Sequence, residues 1–242
     1  MTDATISLRA VLFDLDDTLL YNDMENKFLK HYFALLTAYA APDIAPQTLI
    51  AAVMSGTDAV QRNEDPTLTN EQVFAAVFAP QLGKPWAELK PFFTRFYEER
   101  FLELRVHTRP HPAARQTVQA CIDGGYRVAI ATNPLFPARA IEHRLHWAGL
   151  DGLPFALVTT YENMHTCKPS PRYYAEIAGY LDLAPAECVM VGNDVLRDIA
   201  PAQRAGMRTY LADRWLANED SDVHPDGQGS LADLLPWLGL HP

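Results

Sequence analysis

The first strong pattern in the chain is a short apolar run, Ala10-Val11-Leu12-Phe13, that breaks off into carboxylates at Asp14, Asp16 and Asp17. Hydrophobic residues on both faces mark a strand buried inside a parallel sheet. Three acids so close together repel one another, so gathering them at the strand's carboxyl end asks for a cation, a shared proton or open access to water. In open α/β sheets that end is also where ligands sit. Taken alone, the segment reads equally well as an acidic β-turn, because Asp is a common turn former.

Beyond Leu20 the period lengthens to that of helices. Phe28, Tyr32, Leu35, Leu36 and Tyr39 predict an amphipathic helix from near Asp23 to before Pro42, and a shorter one follows Pro46. Asn70 to Phe78 reads as a third, with Asn70 as N-cap and Val73, Phe74, Val77 and Phe78 as its apolar stripe. A fourth, Trp86 to Leu104, carries Phe92, Phe93, Phe96, Tyr97 and Phe101, aromatics that suit a helix-bundle core. Arg109-Pro110-His111-Pro112 is a linker, since two prolines resist a continuing helix.

From Ala113 strands and helices alternate. A helix through Cys121 stops at Gly124-Gly125, and Tyr126 to Ala131 is a strand ending at Thr132-Asn133-Pro134. A helix over Pro137 to Trp147, a strand over Phe155 to Thr159, and a polar loop to Lys168 follow. Next come a helix through Tyr173, Ile177 and Tyr180, a strand over Cys188 to Val191 and another over Met207 to Leu211. This succession indicates βαβ units and a parallel sheet. Asn218 to Gly229 reads as a polar loop, and Ser230 with Asp233 as the capped start of a last short helix.

Composition narrows the classes. The 242 residues suffice for one large domain or a core with an insertion, and 48% hydrophobic with 21% charged residues is ordinary for a globular protein. A net charge of -10 argues against a broad nucleic-acid or anionic-lipid footprint. No apolar run approaches the ~20 residues of a membrane span and Met1 to Leu8 has no leader character, so a cytoplasmic protein is expected. Cys121, Cys167 and Cys188 are odd in number and widely spaced, which fits free thiols. His143 and His146 lack metal-ligand spacing and are expected on a surface or in packing; His165 lies near Lys168 without a clear role.

Asp14-x-Asp16-x-Thr18 after a hydrophobic strand resembles the first motif of the haloacid dehalogenase-like hydrolase superfamily. Strand-end Thr132, loop Lys168 and strand-end Asp194/Asp198 follow in the order, and at about the spacing, of its other three motifs. The resemblance implies an α/β protein: a Rossmann-like parallel-sheet core, 1–20 and 106–242, with a C1-type helical cap, 21–105, inserted after the first strand.

It also implies roles. Asp14 would be the nucleophile and Asp16 the general acid and base, its backbone carbonyl facing Mg²⁺. Thr132, Asn133 and Lys168 would bind the phosphoryl group, and Asp14 with Asp194 would hold the cation through side chains. Thr18, Asn193 and Asp198 would support these from behind. Many C1 members have Gly-Asp-Ser where this chain has Gly192-Asn193-Asp194, so either Asp194 or a weaker Asn193 takes the metal position. An anionic oxygen is the better Mg²⁺ ligand, which favours Asp194.

The expected function is a Mg²⁺-dependent phosphatase acting on a small phosphorylated metabolite. A phosphosugar mutase, a 2-haloacid dehalogenase and an idle binding or regulatory member are the alternatives. Tyr21, Asn22 and Lys27 are candidates for substrate selection, and the oligomeric state is open.

Overall fold

The computed structural model describes residues 7–212 and 222–240. In chain order its strands are β1 (Ala10–Phe13), β2 (Leu20–Tyr21), β3 (Arg109–Pro110), β4 (Arg127–Ile130), β5 (Leu157–Val158), β6 (Cys188–Gly192), β7 (Arg208–Ala212) and β8 (Gly227–Gly229). Among the described residues, all but β2 and β3 form one parallel sheet in the order β5-β4-β1-β6-β7-β8. The central position of β1 explains its hydrophobicity on both faces. Val11 and Phe13 belong to one layer of core, whereas Ala10 and Leu12 belong to the other.

Helices cover both faces. α5 (Ala114–Asp123), α6 (Ala138–Trp147) and α9 (Leu234–Trp237) contribute Val118, Cys121, Ile141, Leu145, Leu234 and Leu235 to the Val11 layer. α7 (Pro171–Tyr180) and α8 (Ala200–Arg204) contribute Tyr173, Tyr174, Ile177 and Ala202 to the other. Because every strand of a parallel sheet points the same way, Asp14, Thr132 and Asn193 all leave the sheet at one edge. Among the described residues, no helix is long and apolar enough to cross a membrane.

Between β2 and β3, which pair antiparallel, lie α1 (Leu29–Ala40), α2 (Pro46–Gln61), α3 (Asn70–Gln81) and α4 (Trp86–Glu99). The first predicted helix opens with a wide π-type turn, Met24–Phe28, and the fourth ends in a 3₁₀ stretch, Phe101–His107. Phe93, Phe96 and Phe101 are buried in this insert, as the aromatic spacing predicts. The proline-rich linker supplies β3 before α5 begins.

Two local expectations change. Asn218 to Gly229 was read as loop, but Gly227–Gly229 adds an edge strand to β7; Asn218 to Ser221 lie outside the described residues. Glycines carry no β-pattern, and Gly227 is used here because an added Cβ would collide with the Trp237 and Tyr210 rings.

Asn70 is also not the N-cap of α3. Thr69 caps it reciprocally with Gln72, and Asn70 is buried. Its amide donates to the carbonyls of Pro134 (3.3 Å) and Thr166 (3.0 Å). The first amides of α3 likewise find core carbonyls, Asn70 N on Met164 (2.8 Å) and Glu71 N on Tyr161 (2.7 Å). Core loops thus satisfy donors that a helix start leaves open, and they tie the insert to the core far from its connecting strands. Asn70→Ala is expected to lower the unfolding free energy by about 1–3 kcal/mol in urea titrations. A loss within error of zero would mean that water replaces this docking.

Candidate active site

The three clustered acids have three different fates. β1 ends at Phe13, and the Asp14 amide still bonds the Val191 carbonyl (2.9 Å), so Asp14 is placed with the rigidity of the sheet. Its carboxylate is nearly buried. Oδ1 accepts from Lys168 Nζ at 2.6 Å and Oδ2 from the Thr18 hydroxyl at 3.1 Å. Asp17 adopts a left-handed conformation, φ 60°, and faces the chain ahead. Its carboxylate accepts the amides of Asn22 (3.0 Å), Asp23 (2.8 Å) and Met24 (3.0 Å), closing the turn into the insert.

Asp16 points elsewhere. Oδ1 accepts from Asn22 Nδ2 at 2.6 Å, and Oδ2 accepts from Arg144 Nη1 and, at 3.4 Å, from the Thr132 hydroxyl. Arg144 on α6 was not anticipated. It is 1% exposed and stacks over the Phe136 ring, 4.8 Å from the centroid. A signal for it exists in the sequence, since Ala140, Ile141 and Leu145 form an apolar stripe of α6 and Arg144 sits within that stripe. Only an inward-facing partner makes a cation tolerable there.

Lys168 stands at the end of the polar loop before α7 and is buried between Asp14 and Asp198, with 2.6 Å to each Oδ1. Burial opposes its charge, but the two carboxylates hold its pKa well above the ordinary value. Burial dominates on the other side of the pair. Despite Lys168, it lifts Asp14 from 3.8 to about 7, with Asp198 and Asp16 adding to the rise. Asp198 Oδ2 accepts the Asp194 amide (3.1 Å) and lies against Gly192, where any Cβ would strike the Asp198 carboxylate. The sequence reading missed this need for glycine at the end of β6.

Asn193 and Asp194 take different directions. Asn193 Oδ1 lies 3.2 Å from the same Thr18 hydroxyl that bonds Asp14. Asp194 instead caps the turn Val195–Ile199, its Oδ1 accepting from Leu196 N (2.8 Å) and Arg197 N (3.0 Å). Asn193 is thus the residue nearer Asp14 through Thr18, while a free helix start recruits the Oδ1 of Asp194, which also borders the cavity beside Asp14. The backbone carbonyl of Thr132 is held by Tyr173 OH (2.7 Å) and the Thr159 hydroxyl (2.8 Å), which orients the strand end. Asn133 borders the same cavity, with its Oδ1 buried.

The remaining candidates are placed around this centre. Asn22 binds Asp16, Lys27 pairs with Asp23 at 3.2 Å, and Tyr21 packs under Arg109. His165 pairs with Glu176 (2.8 Å), and His143 bonds the Tyr97 carbonyl (3.1 Å), so both serve packing. The sheet edge and the insert enclose a cavity of about 1370 Å³ that Asp14, Asp16, Lys168, Asn193 and Arg144 border on one side. Tyr32, Phe74 and Tyr97 border it on the other.

The raised pKa of Asp14 makes stability depend on pH. The folded chain keeps a proton on Asp14 up to about pH 7, whereas the unfolded carboxyl loses it near 3.8. That contribution is full below pH 3.8 and is lost as pH rises through about 7. In urea titrations with a chelator present, the parent should lose more stability than Asp14→Asn between pH 4 and 8. Parallel curves would contradict a destabilised Asp14 carboxylate.

Comparison with known proteins agrees with this geometry. A model of the haloacid dehalogenase-like hydrolases matches residues 8–206. An N-acetylmuramic acid 6-phosphate phosphatase of Pseudomonas aeruginosa is 27% identical over 219 residues, 90% of this chain and 87% of the relative. A phosphoglycolate phosphatase of Xylella fastidiosa is 30% identical over 206 residues, 84% of this chain and 80% of the relative. Among solved structures, a HAD phosphatase from Thermococcus onnurineus has a TM-score of 0.58 at 21% identity, covering 96% of this chain and 98% of that one. A 2-haloacid dehalogenase from Pseudomonas syringae pv. tomato has a TM-score of 0.63 at 24% identity, with 96% and 97% covered. Four motifs converging on one edge of a parallel sheet, together with a match spanning most of the chain, place this protein in the family of haloacid dehalogenase-like hydrolases.

Proposed function

We propose that the protein is a Mg²⁺-dependent phosphatase that hydrolyses a small phosphorylated metabolite through an aspartyl-phosphate. The observation that carries this reading is a buried carboxylate, Asp14, gripped by Lys168 and Thr18, with a second carboxylate, Asp16, held two residues away on separate donors. This arrangement supports a division in which one acid attacks and the other moves protons. The phosphatases among the relatives favour the same chemistry, as does Asp16 itself, since the haloacid dehalogenase subgroup does not use an acid there.

Asp14 would attack phosphorus while the bond from phosphorus to the ester oxygen breaks, and Asp16 would give that oxygen its proton. Asp16, now a carboxylate, would take a proton from the water that attacks the aspartyl-phosphate. Inorganic phosphate leaves and Asp14 is restored. Lys168 and Thr132 would hold the phosphoryl oxygens, with Asn133 beside them. Asp198 and Gly192 act earlier, by keeping the lysine where both anions meet it.

The donor set suits Mg²⁺. Asp14 Oδ2 and Asn193 Oδ1 both face one Thr18 hydroxyl, which has a single proton to donate, so acceptor oxygens outnumber donors at that point. Among the described residues no three acidic, histidine or cysteine side chains converge to cage a metal. That agrees with a cation that keeps waters and binds through one or two carboxylates plus substrate. Asp14, Asn193 and the Asp16 carbonyl would hold it, and bound there it would neutralise charge on the phosphoryl oxygens and the nucleophile.

Phosphate release from a panel of phosphomonoesters should require Mg²⁺ and disappear in Asp14→Asn, while Asp16→Asn should be slower by about 10²–10⁴-fold. Activity surviving Asp14→Asn would exclude the aspartyl-phosphate. Half-saturation by Mg²⁺ should shift to higher concentration in Asn193→Ala and to lower in Asn193→Asp. A larger shift in Asp194→Asn than in Asn193→Ala would return the metal to Asp194.

A further inference from the structure

The cavity beside Asp14 is larger and more apolar than a phosphoryl group alone needs. At about 1370 Å³ it exceeds the ~300–1000 Å³ of a typical small-ligand pocket, and an alcohol of two or three carbons would leave most of it to water. Tyr32, Phe74 and Tyr97 of the insert border it together with Phe136 and Tyr161 of the core loops. These rings meet across the boundary between insert and core, Tyr32 edge-on to Phe136 with centroids 5.3 Å apart and Phe74 against Tyr161 at 6.4 Å. Met54 and Val106 also border the cavity, and they are 54% and 82% exposed. A single apolar side chain in solvent is ordinary, but these two adjoin a cavity already lined by aromatic rings.

The charges around the cavity argue against a second anion on the substrate. Among the described residues, seven Asp and Glu border it against five Lys and Arg. Each of the five is engaged. Lys168 meets Asp14 and Asp198, Arg144 meets Asp16, Arg197 meets Glu25 (2.6 Å), Lys27 meets Asp23 (3.2 Å), and Arg109 lies over the Tyr21 ring. An anionic leaving group would have to displace a carboxylate from one of these cations, whereas an apolar one displaces only water. We infer that the substrate is the phosphate monoester of an uncharged, ring-bearing alcohol whose apolar body sits against the aromatic side of the cavity. Rings favour a ring, because edge-on and offset contacts add to the burial of area. The inference rests on the phosphatase reading and narrows it: the sheet edge meets the phosphoryl group, and the insert selects the alcohol.

Esters of alcohols of similar acidity separate binding of the body from ease of bond breaking. The parent should hydrolyse 2-phenylethyl phosphate with a kcat/KM about thirtyfold or more above that of ethyl phosphate, the worth of burying a phenylalanine side chain. A carboxylate on the ring, as in 2-(4-carboxyphenyl)ethyl phosphate, should remove about tenfold or more of that gain. Two changes on α2 probe the seat. Met54→Asp puts a charge at an exposed position, and Thr57→Trp adds bulk at a residue that borders the cavity; both should lower the phenylethyl-to-ethyl ratio, and Met54→Leu should preserve it. Equal constants for the two esters, a preference for 2-phosphoglycolate or the carboxylated ring over 2-phenylethyl phosphate, or a ratio unchanged in both Met54→Asp and Thr57→Trp overturns the inference. Isosteric phosphonates read the seat without turnover: with Mg²⁺ present, 3-phenylpropylphosphonate should bind about thirtyfold tighter than propylphosphonate in calorimetry. If no ester releases phosphate while this difference in affinity holds, the phosphatase reading fails and the apolar seat stands. Release without preference removes only the seat, and neither release nor a difference in affinity removes both.

Discussion

The structure depends on one buried charge, the ammonium of Lys168 between Asp14 and Asp198. Neither carboxylate could remain at this depth unpaired, and the lysine could not remain without them. The triad joins the end of β1, the loop before α7 and the turn after β6, three segments that meet only because the sheet is parallel and β1 lies beside β6. Packing of the neighbouring layer follows from it. Tyr173 and Tyr174 of α7 lie close enough to act on the lysine's charge, and Gly192 leaves room for Asp198. Even so, the desolvation of Asp14 exceeds what the lysine returns, and its pKa stays raised. A carboxylate destabilised in this way is one that a nearby cation would relieve.

Around this centre the protein separates like charges by giving each its own donors. Asp17 is absorbed by backbone amides, Asp194 by the start of the next turn, and Asp16 by Asn22 and Arg144. What remains facing Asp14 is the hydroxyl of Thr18 and the amide of Asn193. A neutral amide in that place lowers the local negative charge.

The helical insert belongs to the same construction. Its approach to the core is fixed at the β2–β3 pair and again where α3 sets its first amides on core-loop carbonyls. Asn22, at the entry to the insert, holds Asp16, so the insert and the acid cluster of the core are in direct contact. The aromatic side of the cavity comes from the insert and the charged side from the sheet edge.

The chain by itself determined most of the elements and their order, though not the edge strand β8 or the β2–β3 pair. A doubly apolar run ending in acids, helical spacing over the insert, and later strands each followed by a polar turn are local patterns, and local patterns are set by neighbours a few residues away. They sufficed for the parallel sheet and for a run of helices set between its first two motifs. Tertiary structure alone decided which donor each acid meets. Arg144 reaches Asp16 across 128 positions of sequence and Asn193 reaches Thr18 across 175, and spacing carries no information about where such side chains turn. Asn70 has the spacing of a cap and is a tether to the core; Asp194 sits among the acids of the site and also caps the turn that follows. The physical reason is common to both. A polar side chain goes to the strongest unmet donor or acceptor within reach, and what is within reach exists only once the chain has folded.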